Sequence, residues 1–167
     1  MMQSSPLNFR RVFLWIGRII LAGVFIYAGY AKIFALAIHP RPPIKTALLF
    51  FAFQVDSYHM LPPAAVQFVA HTLPFAEIAL GILLLLGWLL PVWTTLISML
   101  MAGLFFSVLR AYLLHLEINC GCFASPEPLT INTVIRDAFL LLLTLVLTVF
   151  AFQEARSPHP WTAPEKV

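Results

Sequence analysis

Apolar residues run along this chain in four long stretches, separated by short polar or proline-rich segments. The first covers 12–37 and is closed by His39-Pro40-Arg41-Pro42-Pro43. The second covers 63–90, the third 92–116 just after Pro91, and the fourth 132–152. At about 1.5 Å of rise per residue, each is long enough to cross a roughly 30 Å hydrocarbon core as a helix. Lipid offers no partner to a bare backbone amide, so segments of this kind are helical. Between the first two runs, 46–58 is rich in Leu and Phe but too short to span. It predicts a short amphipathic helix in the membrane interface, with a re-entrant piece packed on the bundle as the alternative. The expected fold is an all-α membrane protein: a four-helix transmembrane bundle with an extra short interfacial helix in the first outer loop.

Composition sharpens that picture. Of 167 residues, 61% are hydrophobic and only 10% charged, against roughly 45–50% and about 25% in soluble domains. The mean hydropathy is +0.92. Ten basic and seven acidic side chains are too few to cover a water-exposed surface. A water-soluble globular domain, a disordered chain and a nucleic-acid binder are all excluded; the partner surface is lipid. The net charge of +3 reflects a shortage of acids, not a basic patch. The expected organisation is a cytoplasmic N-terminus (1–11), a transmembrane domain (12–152) and a cytoplasmic tail (153–167). The first run is too long for a secretory h-region and lacks a small-residue cleavage site, so it reads as a retained signal anchor. Arg10, Arg11 and Arg18 before or within it place the N-terminus in the cytoplasm by the positive-inside rule. Four spans then return Arg156 and Lys166 to the same side. Loops 39–62 and 117–129 face outward, although Arg41 and Lys45 lie there too.

Five charges sit inside or at the ends of the apolar runs: Lys32, Glu77, Arg110, Arg136 and Asp137. Each costs at least ~2.5 kcal/mol at a helix centre, so each should face the bundle and find a partner. Steps of three and four residues define inward stripes. On the first helix the stripe is Arg18, Ala22, Phe25, Gly29 and Lys32. On the second it is Pro74, Glu77, Gly81, Leu84 and Trp88. Gly103, Ser107 and Arg110 form it on the third, and Thr133, Asp137, Leu140, Thr144 and Thr148 on the fourth. Small residues on these stripes allow close helix packing, and Pro74 is placed to kink the second helix. Lys32–Glu77 is the first expected ion pair, and Arg110 or Arg136 with Asp137 the second. Apart from Arg18, which is placed to snorkel from the inner end, the buried charge gathers in one leaflet. These pairs either lock helix register or shape a polar site.

The same leaflet carries the only two cysteines, in Asn119-Cys120-Gly121-Cys122-Phe123. Three readings compete. As a redox dithiol, the pair needs Cα atoms about 4.4–6.8 Å apart, a turn that Gly121 permits. The ring would be small and strained, which makes a labile, oxidising disulfide. Arg110, Arg136 or protonated His115 nearby would favour a thiolate, as would the N-terminus of the fourth helix, capped by Thr130 or Asn132. As a metal site, two thiolates need further ligands; His39, His59, His71 and His115 are available, but no spacing matches a zinc pattern. The third reading is a structural turn with inert thiols.

Taken together, these residues resemble the DoxX-like membrane proteins, and within them the methylamine utilisation protein MauE group. Arg18, Phe25, Gly29 and Lys32 are similar to that family's opening. Pro74, Glu77 and Gly81 are similar to its second motif, and Cys120-Gly121-Cys122-Phe123 with Arg136-Asp137 to its third. Ala124 stands where that pattern has Gly. The resemblance covers about 12–150. It implies a four-helix inner (cell) membrane protein of bacteria. The MauE group is associated with maturation of the disulfide-rich, exported light subunit of methylamine dehydrogenase, and other relatives with quinone-coupled oxidation of sulfur compounds.

The expected function is thiol–disulfide redox maturation of an exported partner through Cys120 and Cys122, with Lys32, Glu77, Arg110, Arg136 and Asp137 as a supporting polar cluster. The chain has no second cysteine pair, so a membrane quinone or a separate thioredoxin-like protein would take the electrons. The alternatives are a non-enzymatic assembly or transport helper, or a DoxX-like quinone-coupled subunit. For transport, Arg18 is the one charge in the inner half.

Overall fold

The computed structural model describes residues 6–34, 42–120 and 128–156, with side chains from Val12 onward. Five helices follow one another: α1 (Pro6–Phe34), α2 (Ile44–Asp56), α3 (Pro63–Leu86), α4 (Leu90–Leu113) and α5 (Ile131–Arg156). Four of them, α1, α3, α4 and α5, are long and apolar enough to cross a membrane. Among the described residues no strand forms; Asn119 and Pro128 make one isolated antiparallel bridge. The all-helical reading therefore holds, and the element ends shift by a few residues.

Helix α1 packs most extensively on α3, and α4 on α5; smaller contacts join α1 to α5 and α3 to α4. The α1–α3 pair is antiparallel, since Arg18 meets Leu84 and Leu85 while Lys32 meets Glu77. Two glycines set its closeness. A Cβ on Gly29 would collide with the Pro74 carbonyl oxygen, and one on Gly81 would lie 3.0 Å from the Ala22 carbonyl oxygen. Small residues at such crossings are how helices gain contact where water supplies no drive. Leu21, Leu84, Ile97 and Leu147 fill the centre between the two pairs. The α4–α5 seam is tied by hydroxyls, with Ser98 Oγ and Thr148 Oγ1 3.0 Å apart. Thr148 also donates back to the Thr144 carbonyl at 2.8 Å, so the hydroxyl is satisfied without water.

Helix α2 is the short helix of the first loop. Its Ala47, Leu48, Phe51 and Ala52 are buried, and it packs on α3 and α1. Phe51 and Ala52 meet Val66 and Ala70 on the first half of α3. The opposite face, Leu49, Phe50 and Phe53, stays exposed. The helix thus rests on the bundle instead of lying beside it, because its small residues fit the flank of α3.

Two of the expected stripes need correction. Trp88 was placed on the inward face of the second span, yet it is 75% exposed. Gly87 (φ 73°) ends α3 in the left-handed region, and the helical register is lost before Trp88. On α4 the inward face is Thr94, Ile97, Ser98, Met101, Val108 and Ala111, whereas Gly103 is exposed with open space around it. Ser107 and Arg110 lie at the edge of that face, half-buried. The stripes on α1 and α5 and the rest of that on α3 face inward, as their spacing predicts.

Candidate functional site

The site is built at the end of the bundle where α1 stops, α3 begins and α5 begins. Lys32 sits in the last turn of α1 and Glu77 past the middle of α3. Helical side chains lean toward their own N-terminus, so the long Lys32 chain reaches back into the bundle. Its Nζ donates to Glu77 Oε1 at 2.8 Å and Oε2 at 2.7 Å, with the two side chains 4% and 3% exposed. The Phe51 ring of α2 covers this pair, its centroid 5.6 Å from Nζ. A net-neutral pair with both carboxylate oxygens engaged is the arrangement in which buried charge is tolerated in lipid.

Asp137 lies on the buried face of α5, one turn and a half from its start. Its Oδ1 accepts from Arg136 Nε at 3.0 Å. Adjacent residues on a helix point roughly 100° apart, so the half-buried Arg136 chain folds back along the helix to make this bond. That curl carries its other end to the cysteine loop, where Nη2 stands 3.7 Å from Cys120 Sγ. One guanidinium therefore bridges a buried carboxylate and a sulfur.

The described ends of the loop are pinned together. Leu129 N–H donates to the Ile118 carbonyl at 3.0 Å, beside the Asn119–Pro128 bridge. Thr130 supplies the carbonyl that receives the first amides of α5, from Thr133 at 3.0 Å and Val134 at 3.3 Å. Cys120 is buried, packed against Val108 of α4 and Val134 of α5. Gly121, Cys122 and Phe123 lie outside the described residues, as does His39.

A cavity of 220 Å³ connects these groups, its wall mostly apolar. Lys32, Glu77, Asp137, Cys120 and Ser107 supply polar positions on it, and every helix contributes to the wall. Of the expected cluster, the two arginines part company. Arg136 reaches Cys120 from its own side, and Arg110 turns to the α2–α3 turn, where its Nη1 donates to the Tyr58 carbonyl at 3.2 Å. Of the two candidates for Asp137, Arg136 takes the carboxylate, and Arg110 has a backbone oxygen instead. His59 and His115 both adopt positive φ, and among the described residues no three His, Cys, Asp or Glu side chains converge.

Two participants were not anticipated from sequence. Tyr58 donates its hydroxyl to the Cys120 carbonyl at 2.9 Å. Gln54 lines the cavity from α2. Both fall in the 46–58 stretch that reads as an interfacial helix, and only the placement of α2 on the bundle brings them inward. At the far end of the bundle, Arg18 does more than snorkel. Its Nε donates to the Leu84 carbonyl at 3.1 Å and its Nη2 to Leu85 at 2.9 Å. The guanidinium occupies the place a Cβ on Gly87 would take, and so caps the C-terminus of α3, where a cation is favoured.

Four apolar spans around a buried, ion-paired cavity with Cys120 on its wall define a multi-pass membrane protein with a polar site at one end. The family model for methylamine utilisation protein MauE matches residues 10–150, and the chain belongs to that family. Neither curated proteins nor solved structures give a match.

Proposed function

We propose that this chain carries out thiol–disulfide exchange on an exported partner protein through Cys120 and Cys122. The observation that carries the reading is the contact of Arg136 Nη2 with Cys120 Sγ at 3.7 Å, while its Nε is held on Asp137 at 3.0 Å. A guanidinium fixed beside sulfur stabilises the thiolate, which is the species that attacks a disulfide and the better leaving group from one. In the forward step a dithiol of the partner reduces the Cys120–Cys122 disulfide. The partner gains a disulfide, and two electrons and two protons pass to this chain. A membrane quinone held in the cavity beside Lys32–Glu77, Asp137 and Cys120 would supply the two-electron, two-proton acceptor that restores the disulfide, and a thioredoxin-like protein is the alternative acceptor. The apolar cavity beside Lys32–Glu77, Asp137 and Cys120 suits a lipid-soluble acceptor of this kind. Membership of the MauE family supports methylamine metabolism as the setting, with the light subunit of methylamine dehydrogenase as the partner. The cysteine hairpin then faces the non-cytoplasmic side of a bacterial inner membrane, and both termini the cytoplasm.

A second reading is a non-enzymatic assembly helper. It is favoured by the partners that Lys32, Arg18 and Arg110 find within the bundle itself. The Cys120→Ser, Cys122→Ser double variant separates the two. Under the redox reading the partner's cysteines accumulate reduced, as alkylation and mass measurement of the partner would show. Normal disulfides in the partner would contradict exchange and favour the helper.

A further inference from the structure

We infer that Tyr58 is a positioning residue for Cys120, coupling the α2–α3 turn to the cysteine hairpin; the inference rests on the redox reading for its purpose but not for its geometry. Tyr58 belongs to the turn after α2. That turn is firmly built: Ser57 Oγ donates to the Gln54 carbonyl at 2.7 Å, and His59 N–H to the Asp56 carbonyl at 2.9 Å. From it the Tyr58 ring enters the apolar cluster of Val108, Cys120 and Val134. Its hydroxyl donates to the Cys120 carbonyl at 2.9 Å, and its own carbonyl accepts from Arg110 Nη1 at 3.2 Å. One residue is thus gripped from α4 and itself grips the hairpin.

The topology gives those bonds their weight. Helix α2 packs on α1 and α3, and among the described residues it makes no helix-to-helix contact with α4 or α5. Near the cysteine end, the α1–α3 half and the α4–α5 half face each other across the cavity. Tyr58 and the Arg110 bond cross between them, and Tyr58 lines the cavity together with Gln54 and Val55 of α2. The peptide of Cys120 is therefore held from two sides: its sulfur by Arg136 of α5 and its carbonyl by Tyr58. Loss of the second hold lets the peptide rotate and carries Sγ away from the guanidinium. A change of cavity contents that shifts α2 would act on the cysteine by the same route.

Alkylation of Cys120 by a small maleimide tests this, in the full-length chain in lipid vesicles with Cys122→Ser, which leaves one thiol. Tyr58→Phe keeps the ring and removes only the hydroxyl. It is expected to change the alkylation rate, and the equilibrium with glutathione, by about two- to tenfold, the scale of one net hydrogen bond. Arg110→Gln, which loosens the same residue from its other end, is expected to shift both in the same direction, and the double variant to fall short of the product of the two. Tyr112→Phe, in the same apolar cluster, is expected to match the parent. Parent-like rates in both Tyr58→Phe and Arg110→Gln would overturn the coupling, as would an equal change in Tyr112→Phe. If the Tyr58 effect is present while the wild-type pair never cycles with oxidant, the coupling stands and the redox reading alone falls.

Discussion

The residues of the site divide by what holds their charge. Lys32 and Glu77 neutralise each other at 2.7–2.8 Å, both almost fully buried. Removing one partner leaves a bare buried charge, so Glu77→Gln or Lys32→Met alone is expected to cost about 3–5 kcal/mol. The double variant Lys32→Met, Glu77→Leu should recover most of that loss. Denaturant unfolding in mixed micelles measures both, and simple additivity of the single losses would show that the charges act separately. Arg18 works differently, against backbone carbonyls at the end of α3. Arg18→Leu is expected to cost about 1–3 kcal/mol by leaving them bare, with no change in Cys120 reactivity at the other end. In the proposed exchange, Arg136 is the charge that stands beside the sulfur. Arg136→Gln is expected to slow alkylation of Cys120 about tenfold through loss of the cation, and an unchanged rate would remove the guanidinium from the mechanism.

At the scale of the elements, the α1–α3 crossing carries the geometry of the cavity, because Gly29 and Gly81 let the backbones meet. Gly29→Leu or Gly81→Leu is expected to lower stability by about 1–3 kcal/mol or more through overpacking and to pull Lys32 from Glu77. Gly103→Leu, which faces open space, should leave the thermal midpoint unchanged. This contrast also marks what sequence can tell. The α1, α3 and α5 stripes were legible because charged and hydroxyl residues punctuate them at helical spacing, and ionic groups in lipid have only one place to go. On α4 the same reasoning misled. Lipid and core are equally apolar, so a small residue such as Gly103 does not by itself identify the inner face. The true face, with Thr94 and Ser98, was marked by hydroxyls that make their bonds to their own helix or to Thr148. Trp88 failed for another reason: a stripe extrapolated past Gly87 follows a helix that has already ended. Tyr58 was invisible because its role depends on where a loop lands, which no periodicity encodes.

Among the described residues, the molecule joins two helix pairs around a cavity and places Cys120 on its wall. The four spans, the family, the Lys32–Glu77 pair and Arg136 as one of two candidates for Asp137 were within reach of the sequence; that a single guanidinium holds Asp137 and Cys120 at once was not, since its side chain must curl along the helix to do so. The central claim is that the hairpin sulfurs change redox state in exchange with an exported dithiol. Kinetic thiol trapping of Cys120 and Cys122 in sealed inner-membrane vesicles and intact cells, with a membrane-impermeant maleimide, measures it most directly. The account predicts a pair that is oxidised at rest, becomes reactive from the non-cytoplasmic face when a partner dithiol is supplied, and returns to the disulfide when a short-chain quinone is added. A pair that keeps one redox state under every addition, or reacts from the cytoplasmic face, would contradict it.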